Sequence, residues 1–361
     1  MNVTRRNFSG ELEFLANNLP PGIVMHAPKV PPNLTQVPIV FEAADNAPLT
    51  KSLVDLRVLH TGANGKKIEG GFRQNLDLVY GPPNNRTYYV STLDRLAVAA
   101  TKKVPFSIKL LKPETPIIQS GSMSLKVVAL RDANFTAAIN VRLLTRPPGI
   151  GASSSINIAA GKTEANYPIT ANGGAGIGTW QIAMLAAAKT SHGEVLTSSE
   201  LVDLVIEPPY LKVKINMSAI ERGKEGEIIC DLEQLRPFEN EATISIFGLP
   251  ANVTSIPQKI DKNATQVVFP ITSEPTSRAG LSKTLFCSVK VPLGEHLLNH
   301  SVGQGGQLRM DNPPPAPKKP TVPKPKTVAV AKPPKPKAQK PLSRLEKLRL
   351  AAKESAAAGT N

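Results

Sequence analysis

Phe8-Ser9-Gly10-Glu11-Leu12-Glu13-Phe14-Leu15-Ala16-Asn17-Asn18-Leu19-Pro20-Pro21-Gly22-Ile23 is the stretch that decides the fold. Leu12 and Phe14 alternate with polar neighbours, Pro20 closes the run, and Gly22 and Ile23 follow. The same steps recur from Phe135, through Ile139, Val141, Pro147, Gly149 and Ile150. They recur again from Phe238, through Ala242, Ile244, Pro250, Asn252 and Val253. A period of two marks a half-buried strand. Proline followed by Gly or Asn suits a turn that needs positive φ. Three copies of strand and turn are the mark of a repeat architecture.

A second match lies further on. Thr35-Gln36-Val37 and Thr265-Gln266-Val267 each fall 27 residues after their Phe, and Thr163 falls 28 after its own. Each opens another strand, over 38–41, 165–169 and 267–271. The last strands of the units are predicted at 53–58, 179–186 and 285–291. Short alternating runs also appear at Leu211-Lys212-Val213-Lys214-Ile215 and Ala242-Thr243-Ile244-Ser245-Ile246. Seven or so short strands per unit, with frequent turns, predict an all-β chain of three tandem immunoglobulin-like sandwiches.

Proline-rich joints divide the chain: Lys112-Pro113-Glu114-Thr115-Pro116, Glu207-Pro208-Pro209-Tyr210 and Asp311-Asn312-Pro313-Pro314-Pro315. The expected domains are 1–114, 115–208, 209–312 and a tail, 313–361. The first motif follows Met1 almost at once, whereas the second and third are preceded by longer strand-like sequence. The expectation is therefore a first domain truncated at its N-terminus. No charged region followed by an apolar stretch opens the chain, so no signal peptide is visible. No apolar run reaches the length of a transmembrane helix.

Of 361 residues 41% are hydrophobic but only 4% aromatic, so the cores must be built from Val, Ile, Leu and Ala. The 34 prolines argue against long helices. Net charge is +15, but from Pro313 onward twelve Lys/Arg stand against Glu346 and Glu354, leaving only +5 for the preceding residues. The basic character belongs to the tail, which undercuts a nucleic-acid reading of the globular part. The tail's Pro/Lys/Ala/Val run over 313–341 predicts extended, disordered chain. A short helix is predicted over 342–358, capped by Ser343 with Glu346 three residues on.

Candidate chemistry is sparse. Cys230 and Cys287 are the only cysteines and sit in an early and a late strand of one unit. They are a candidate disulfide, worth about 4 kcal/mol for a loop of this length; the alternative is a pair of buried free thiols. His296 and His300 have helical zinc-ligand spacing but no third ligand, and read as surface loop histidines. Gly161-Lys162-Thr163 lacks the upstream glycine of a phosphate loop and reads as a hairpin tip. The Gly-rich run 172–178 precedes a strand, which argues against a dinucleotide role. No nucleophile elbow appears and no carboxylate pair stands out, so no catalytic residue, cofactor or metal is assigned and no enzyme is expected.

Contacts to an anionic partner fall on Lys318, Lys319, Lys324, Lys326, Lys332, Lys335, Lys337, Lys340, Arg344, Lys347 and Arg349. No aromatic residue occurs beyond Pro313 to stack on bases, so specific nucleic-acid binding is not expected. Loops 81–86 and 172–178, with Tyr88, Tyr89 and Trp180 nearby, are the candidate sites for a carbohydrate or calcium ion.

The run from Gly10-Glu11-Leu12-Glu13-Phe14 to Leu19-Pro20-Pro21-Gly22-Ile23 resembles repeats that accompany bacterial pre-peptidase C-terminal domains, in large exported proteins of planctomycete-type bacteria. Leu78-Val79-Tyr80-Gly81-Pro82, Asp94-Arg95-Leu96-Ala97-Val98, Ser122-Met123-Ser124-Leu125-Lys126-Val127-Val128, Gly303-Gln304-Gly305-Gly306 and Leu342-Ser343-Arg344-Leu345-Glu346-Lys347-Leu348-Arg349 are similar to segments near the C-terminus of such proteins. The resemblance implies a non-catalytic sandwich array, periplasmic or at the cell surface, lying beside protease, sugar-binding or adhesion domains. Its implied partner is a cell-envelope polymer or another envelope protein. It carries over no catalytic residue. The function expected is a spacer or adhesion-type scaffold, with a ligand-binding module or an ancillary segment of an exported subtilisin-like protease as alternatives.

Overall fold

A computed structural model describes residues 1–191, 193–314, 343–344 and 347–349. The chain divides into Met1–Pro313 and Pro314–Asn361. In the second part Arg344 and Lys347–Arg349 are helical and exposed. The rest of the helix expected over 342–358, and the disorder expected before it, lie outside the described residues.

Within Met1–Pro313 the repeat is visible as strand pairing. The first stretch holds β1 (Glu13–Asn17), β2 (Ile23–His26), β3 (Val40–Ala43), β4 (Lys51–Thr61), β5 (Lys67–Gly71), β6 (Gln74–Gly81), β7 (Arg86–Leu93) and β8 (Leu96–Ala99). The second holds β9 (Phe106–Leu110), β10 (Ile117–Ile118), β11 (Ser122–Arg131), β12 (Ile139–Leu143), β13 (Ile150–Ala152) and β14 (Ile156–Ile158). It continues through β15 (Glu164–Ala171), β16 (Gly178–Ile182), β17 (Met184–Thr190), β18 (Gly193–Ser198) and β19 (Val202–Glu207). The third holds β20 (Leu211–Ile215), β21 (Ser218–Glu221), β22 (Glu225–Gln234), β23 (Ala242–Phe247) and β24 (Val253–Ser255), then β25 (Gln258–Ile260), β26 (Gln266–Ser273), β27 (Gly280–Leu293) and β28 (His296–Asp311).

The third stretch is a two-sheet sandwich. One sheet runs β20-β22-β26-β24 and the other β21-β28-β27-β23-β25. All its pairs are antiparallel except β21 with β28, which run parallel. The second stretch repeats this: β13-β15-β11-β9 forms one sheet, and β12 and β17 take the places of β23 and β27 in the other. Parallel β10 and β19 match β21 and β28. After β12, as after β23, the chain crosses to the opposite sheet, returns to lie beside the strand it left, and crosses again. This is an immunoglobulin-like sandwich, as the alternation predicted.

The repeated prolines do what their position requires. Ile23 N–H bonds Pro20 O, Ile150 N–H bonds Pro147 O and Val253 N–H bonds Pro250 O, at 3.1, 3.0 and 3.2 Å. Gly22, Gly149 and Asn252, one residue before each donor, have φ of 75°, 78° and 61°. The strands predicted as the last of each unit are correctly placed in β4, β16–β17 and β27, but further strands pair beside them. In the third stretch that strand is β28, sixteen residues long. Gly303 and Gly305 lie within it with positive φ.

Core size separates the three stretches. Phe106, Ile108 and Leu110 of β9, although they precede the Lys112–Pro116 joint, pack with Leu125, Val141, Tyr167 and Ile182 in a cluster of 22 buried residues. The third cluster has 25, including Ile228, Phe269, Leu285 and Val289. Burial of each such side chain stabilises by roughly 1.5–3 kcal/mol. The first cluster has only four: Val3, Leu12, Val30 and Val37.

The second and third cores share a seam. Ile117 belongs to the second cluster and its neighbour Ile118 to the third, so a two-residue strand feeds both. Gly121 bridges His300, and Ser301 N–H donates to Ser120 O at 2.8 Å. Below this, Arg236 ion-pairs with Glu207 at 2.7 Å and lies 4.5 Å over the Tyr210 ring. The first and second cores meet instead across grooves, of about 480 Å³ beside Lys29, Arg146, Trp180 and Asp203 and about 1110 Å³ beside Phe41 and Lys109.

Candidate functional site

Cys230 lies on β22 and Cys287 on β27, in opposite sheets, and both are fully buried. Their thiols are free and hydrogen-bonded to each other. That bond and burial together hold the Cys287 thiol well above its ordinary range, whereas the same bond pulls the Cys230 thiol below its own. The geometry suits an internal strut across the sandwich, or the two small apolar fillers that the sequence left as the alternative.

The two spaced histidines part company. Both are in β28, not in a surface loop, and only His296 is exposed. His296 Nε2 pairs with Glu114 at 3.0 Å. His300 is 1% exposed, and neither ring nitrogen has a partner. Its ring centroid lies 6.1 Å from that of Tyr210, and burial pulls its pKa from 6.5 to about 4. It therefore sits neutral, directly on the seam where it bridges Gly121. Strand spacing, which sequence reading set aside for a loop, is what sends the residue inward.

Among the described residues no group of three His, Cys, Asp or Glu side chains comes together. No described helix is long and apolar enough to cross a membrane. Gly161 closes a turn, with Lys162 N–H bonded to Ala159 O at 3.0 Å, as a hairpin tip would. The run 172–178 is a loop leading into β16.

The proposed aromatic contacts do not converge. Tyr88 and Tyr89 are consecutive in β7, so they face opposite sides of the β6–β7 ribbon. Tyr88 Oη–H donates to Pro82 O at 2.8 Å, which ties it to the ribbon's own tip. Trp180 Nε1–H donates to Gly176 O at 2.7 Å and the ring is half-buried. The ribbon itself exposes Leu76, Leu78, Val79 and Val90 with the two tyrosines and pairs with no other strand among the described residues.

Of the basic residues assigned to an anionic partner, Arg344, Lys347 and Arg349 are exposed on the helical segment. Lys318, Lys319, Lys324, Lys326, Lys332, Lys335, Lys337 and Lys340 lie outside the described residues.

Sequence reading missed two arginines that organise the loops. Arg5 donates to Gly10, Leu34, Val30 and Pro31 carbonyls at 3.1, 2.8, 2.9 and 2.7 Å. Arg131, at the matching place in the second stretch, donates to Lys162, Ala137 and Ala159 carbonyls at 2.8, 2.6 and 3.3 Å. The five donors of a guanidinium, fixed in a planar fork, suit it to holding several spread carbonyls at once. Burial lowers the pKa of both, yet both stay charged.

No family model matches the chain, and neither does any curated protein. Solved structures match weakly. A protein of unknown function from Porphyromonas gingivalis W83 is 10% identical over 57% of this chain and 100% of its own, with a TM-score of 0.23. The fibronectin(III)-like modules of Clostridium thermocellum CbhA are 12% identical over 57% and 95%, with a TM-score of 0.21. The D0-D1 domain of intimin is 12% identical over 54% and 96%, with a TM-score of 0.20. The assignment of an immunoglobulin-like sandwich accordingly rests on strand order and pairing.

Proposed function

We propose that this chain is a non-catalytic spacer or adhesion-type scaffold of an exported cell-envelope protein, built as three sandwich domains in a row ahead of a basic tail. The observation that carries the reading is the seam between the second and third cores. Ile117 and Ile118 are buried in different cores, and the Ser120–Ser301 and Gly121–His300 pairings lock one sandwich to the next. An enzyme spends such rigidity on placing reactive groups, whereas here it places only the next sandwich. Stacked units that contact only their neighbours are suited to holding a distance.

Small-angle scattering from residues 1–313 tests this directly. An elongated particle is expected; a compact one would sink the reading. In an oxidising compartment Cys230 and Cys287 should be bridged, adding about 4 kcal/mol. Two titratable thiols in denatured protein from an exported source would remove that part.

The tail's lysines suit an anionic envelope polymer. Binding should weaken steeply with salt, as expected when counterions are released. The resemblance to repeats of exported planctomycete-type proteins with pre-peptidase C-terminal domains supports a periplasmic or surface location. A carbohydrate or calcium site at loops 81–86 and 172–178 finds less support, because Tyr88, Tyr89 and Trp180 form no common platform.

A further inference from the structure

One element of the first stretch has no counterpart in its sisters. β5 and β8 both pair with β4, as β18 pairs with β17 and β19 with β16. In the second stretch only Ser199–Leu201 separates β18 from β19, and in the third the single strand β28 runs through the same place. In the first, the β6–β7 ribbon is inserted between β5 and β8. Its strands pair with each other and, among the described residues, with no other strand. Leu78, Val79, Tyr88, Tyr89 and Val90 are 44–60% exposed. Their open surface is on the order of 500 Å², as large as the largest apolar patch of a typical monomer. A ribbon of two strands is marginal in water, and further strands are needed to steady it.

The two edges of the ribbon differ. β6 carries Asp77 in its middle, and a charge there keeps an edge from pairing with a second chain. Other edge strands are guarded in the same way, by Lys109 in β9, Glu194 in β18, and Lys212 and Lys214 in β20. β7 has no such guard. Thr87-Tyr88-Tyr89-Val90-Ser91-Thr92-Leu93 contains no charge, proline or glycine, and most of it is β-branched or aromatic. Register through β7 is the same on either side of one local irregularity, since Asp77 faces Val90 and Tyr80 faces Thr87. The nearest charges bound the run, Arg86 at one end and Asp94 at the other. Both are exposed, and neither has an ion pair among the described residues.

We propose that β7 is a dimerisation edge, which joins the ribbons of two copies of this chain into one four-stranded antiparallel sheet about a two-fold axis at Val90. A two-fold contact is reciprocal: if one residue meets another, the second meets the first. With Val90 opposite its own copy, Tyr89 stands opposite Ser91 and Thr87 opposite Leu93. Arg86 then falls opposite Asp94 at both ends of the new pairing. This match selects a second copy over an unrelated strand, because one run supplies both halves of it. Cross-strand side-chain pairs add to the main-chain bonds. Edge pairing covers less than the roughly 800 Å² per partner of a standard interface, so the dimer dissociates on dilution. The inference goes beyond the spacer reading and does not rest on it.

Sedimentation of the full chain over a dilution series reads the equilibrium, and a monomer–dimer exchange is expected. R86D and D94R should each weaken it about tenfold, since each turns two attractive contacts into repulsive ones. The double variant R86D/D94R should restore association to within about twofold of the native chain. Y89K sets a cation on the edge and should abolish the dimer while leaving thermal unfolding of the monomer unchanged. A chain that is monomeric at every concentration overturns the proposal. So does a dimer indifferent to Y89K, or a double variant as weak as the single ones.

Discussion

Lowering the pH should loosen the third sandwich through a contribution that belongs to His300. The ring is neutral in the fold because burial leaves the imidazolium without solvent or partner; both nitrogens lack a hydrogen bond. The titratable and charged groups around it give it no relief: Tyr210 faces it, Arg236 lies behind Tyr210 paired with Glu207, and Glu114 is engaged by His296. A pKa held at about 4 in the fold against 6.5 when unfolded means the unfolded chain binds more protons between those values. Stability is therefore full above about pH 6.5 and falls as pH drops toward 4. At 1.36 kcal/mol per pKa unit, the loss between pH 7.5 and pH 4.5 is about 2.5 kcal/mol. Carboxylates titrate over part of this range, so the quantity to measure is a difference. Urea unfolding of the native chain and of H300L, each at both pH values, isolates the histidine. H300L should lose about 2.5 kcal/mol less and match or exceed the native stability at pH 7.5. Parallel pH profiles for the two proteins would refute the argument.

Other perturbations have equally definite outcomes. At Gly248, φ is +75° and an added Cβ would lie 2.0 Å from Thr284 O, so G248A should cost more than about 2 kcal/mol in urea unfolding. G161A, with φ of +69° but nothing within 4 Å, should cost only about 1 kcal/mol. R131K should lose about 1.5–3 kcal/mol, since an ammonium cannot reach the Lys162, Ala137 and Ala159 carbonyls together; calorimetry reads this as a lower Tm. I118A should cost about 2–4 kcal/mol, with amide protection lost first in the third core; unchanged protection there would mean that Ile118 is not a seam residue.

Much of the fold could be read from the chain because a strand announces itself locally. Leu12 and Phe14, Ile139 and Val141, Ala242 and Ile244 declare their period within three residues, and each proline turn within four. The features that escaped reading are those whose cause is distant. Arg5 finds its acceptors as far away as Leu34, and no local pattern marks an arginine as a loop clamp. His300 looked superficial because no third ligand accompanied it and its segment read as a loop, yet β28 runs on from His296 to Asp311 and carries the ring inward. Ile39 and Phe41 alternate as a covered strand would, yet both are only half-buried, and nothing in their own segment marks the difference.

The two-residue strand Ile117–Ile118 has a mechanical consequence. A pull from the N-terminal side reaches Ile117–Ile118, which plugs the third core as well as the second, before it reaches the Glu207–Leu211 connection between them. Neither can rupture quietly: extracting Ile118 drags Ile117 with it and tears a hole next door. Stretched between two anchors, this pair should yield in one step of double length, while the stretch before Phe106 gives way earlier and by itself.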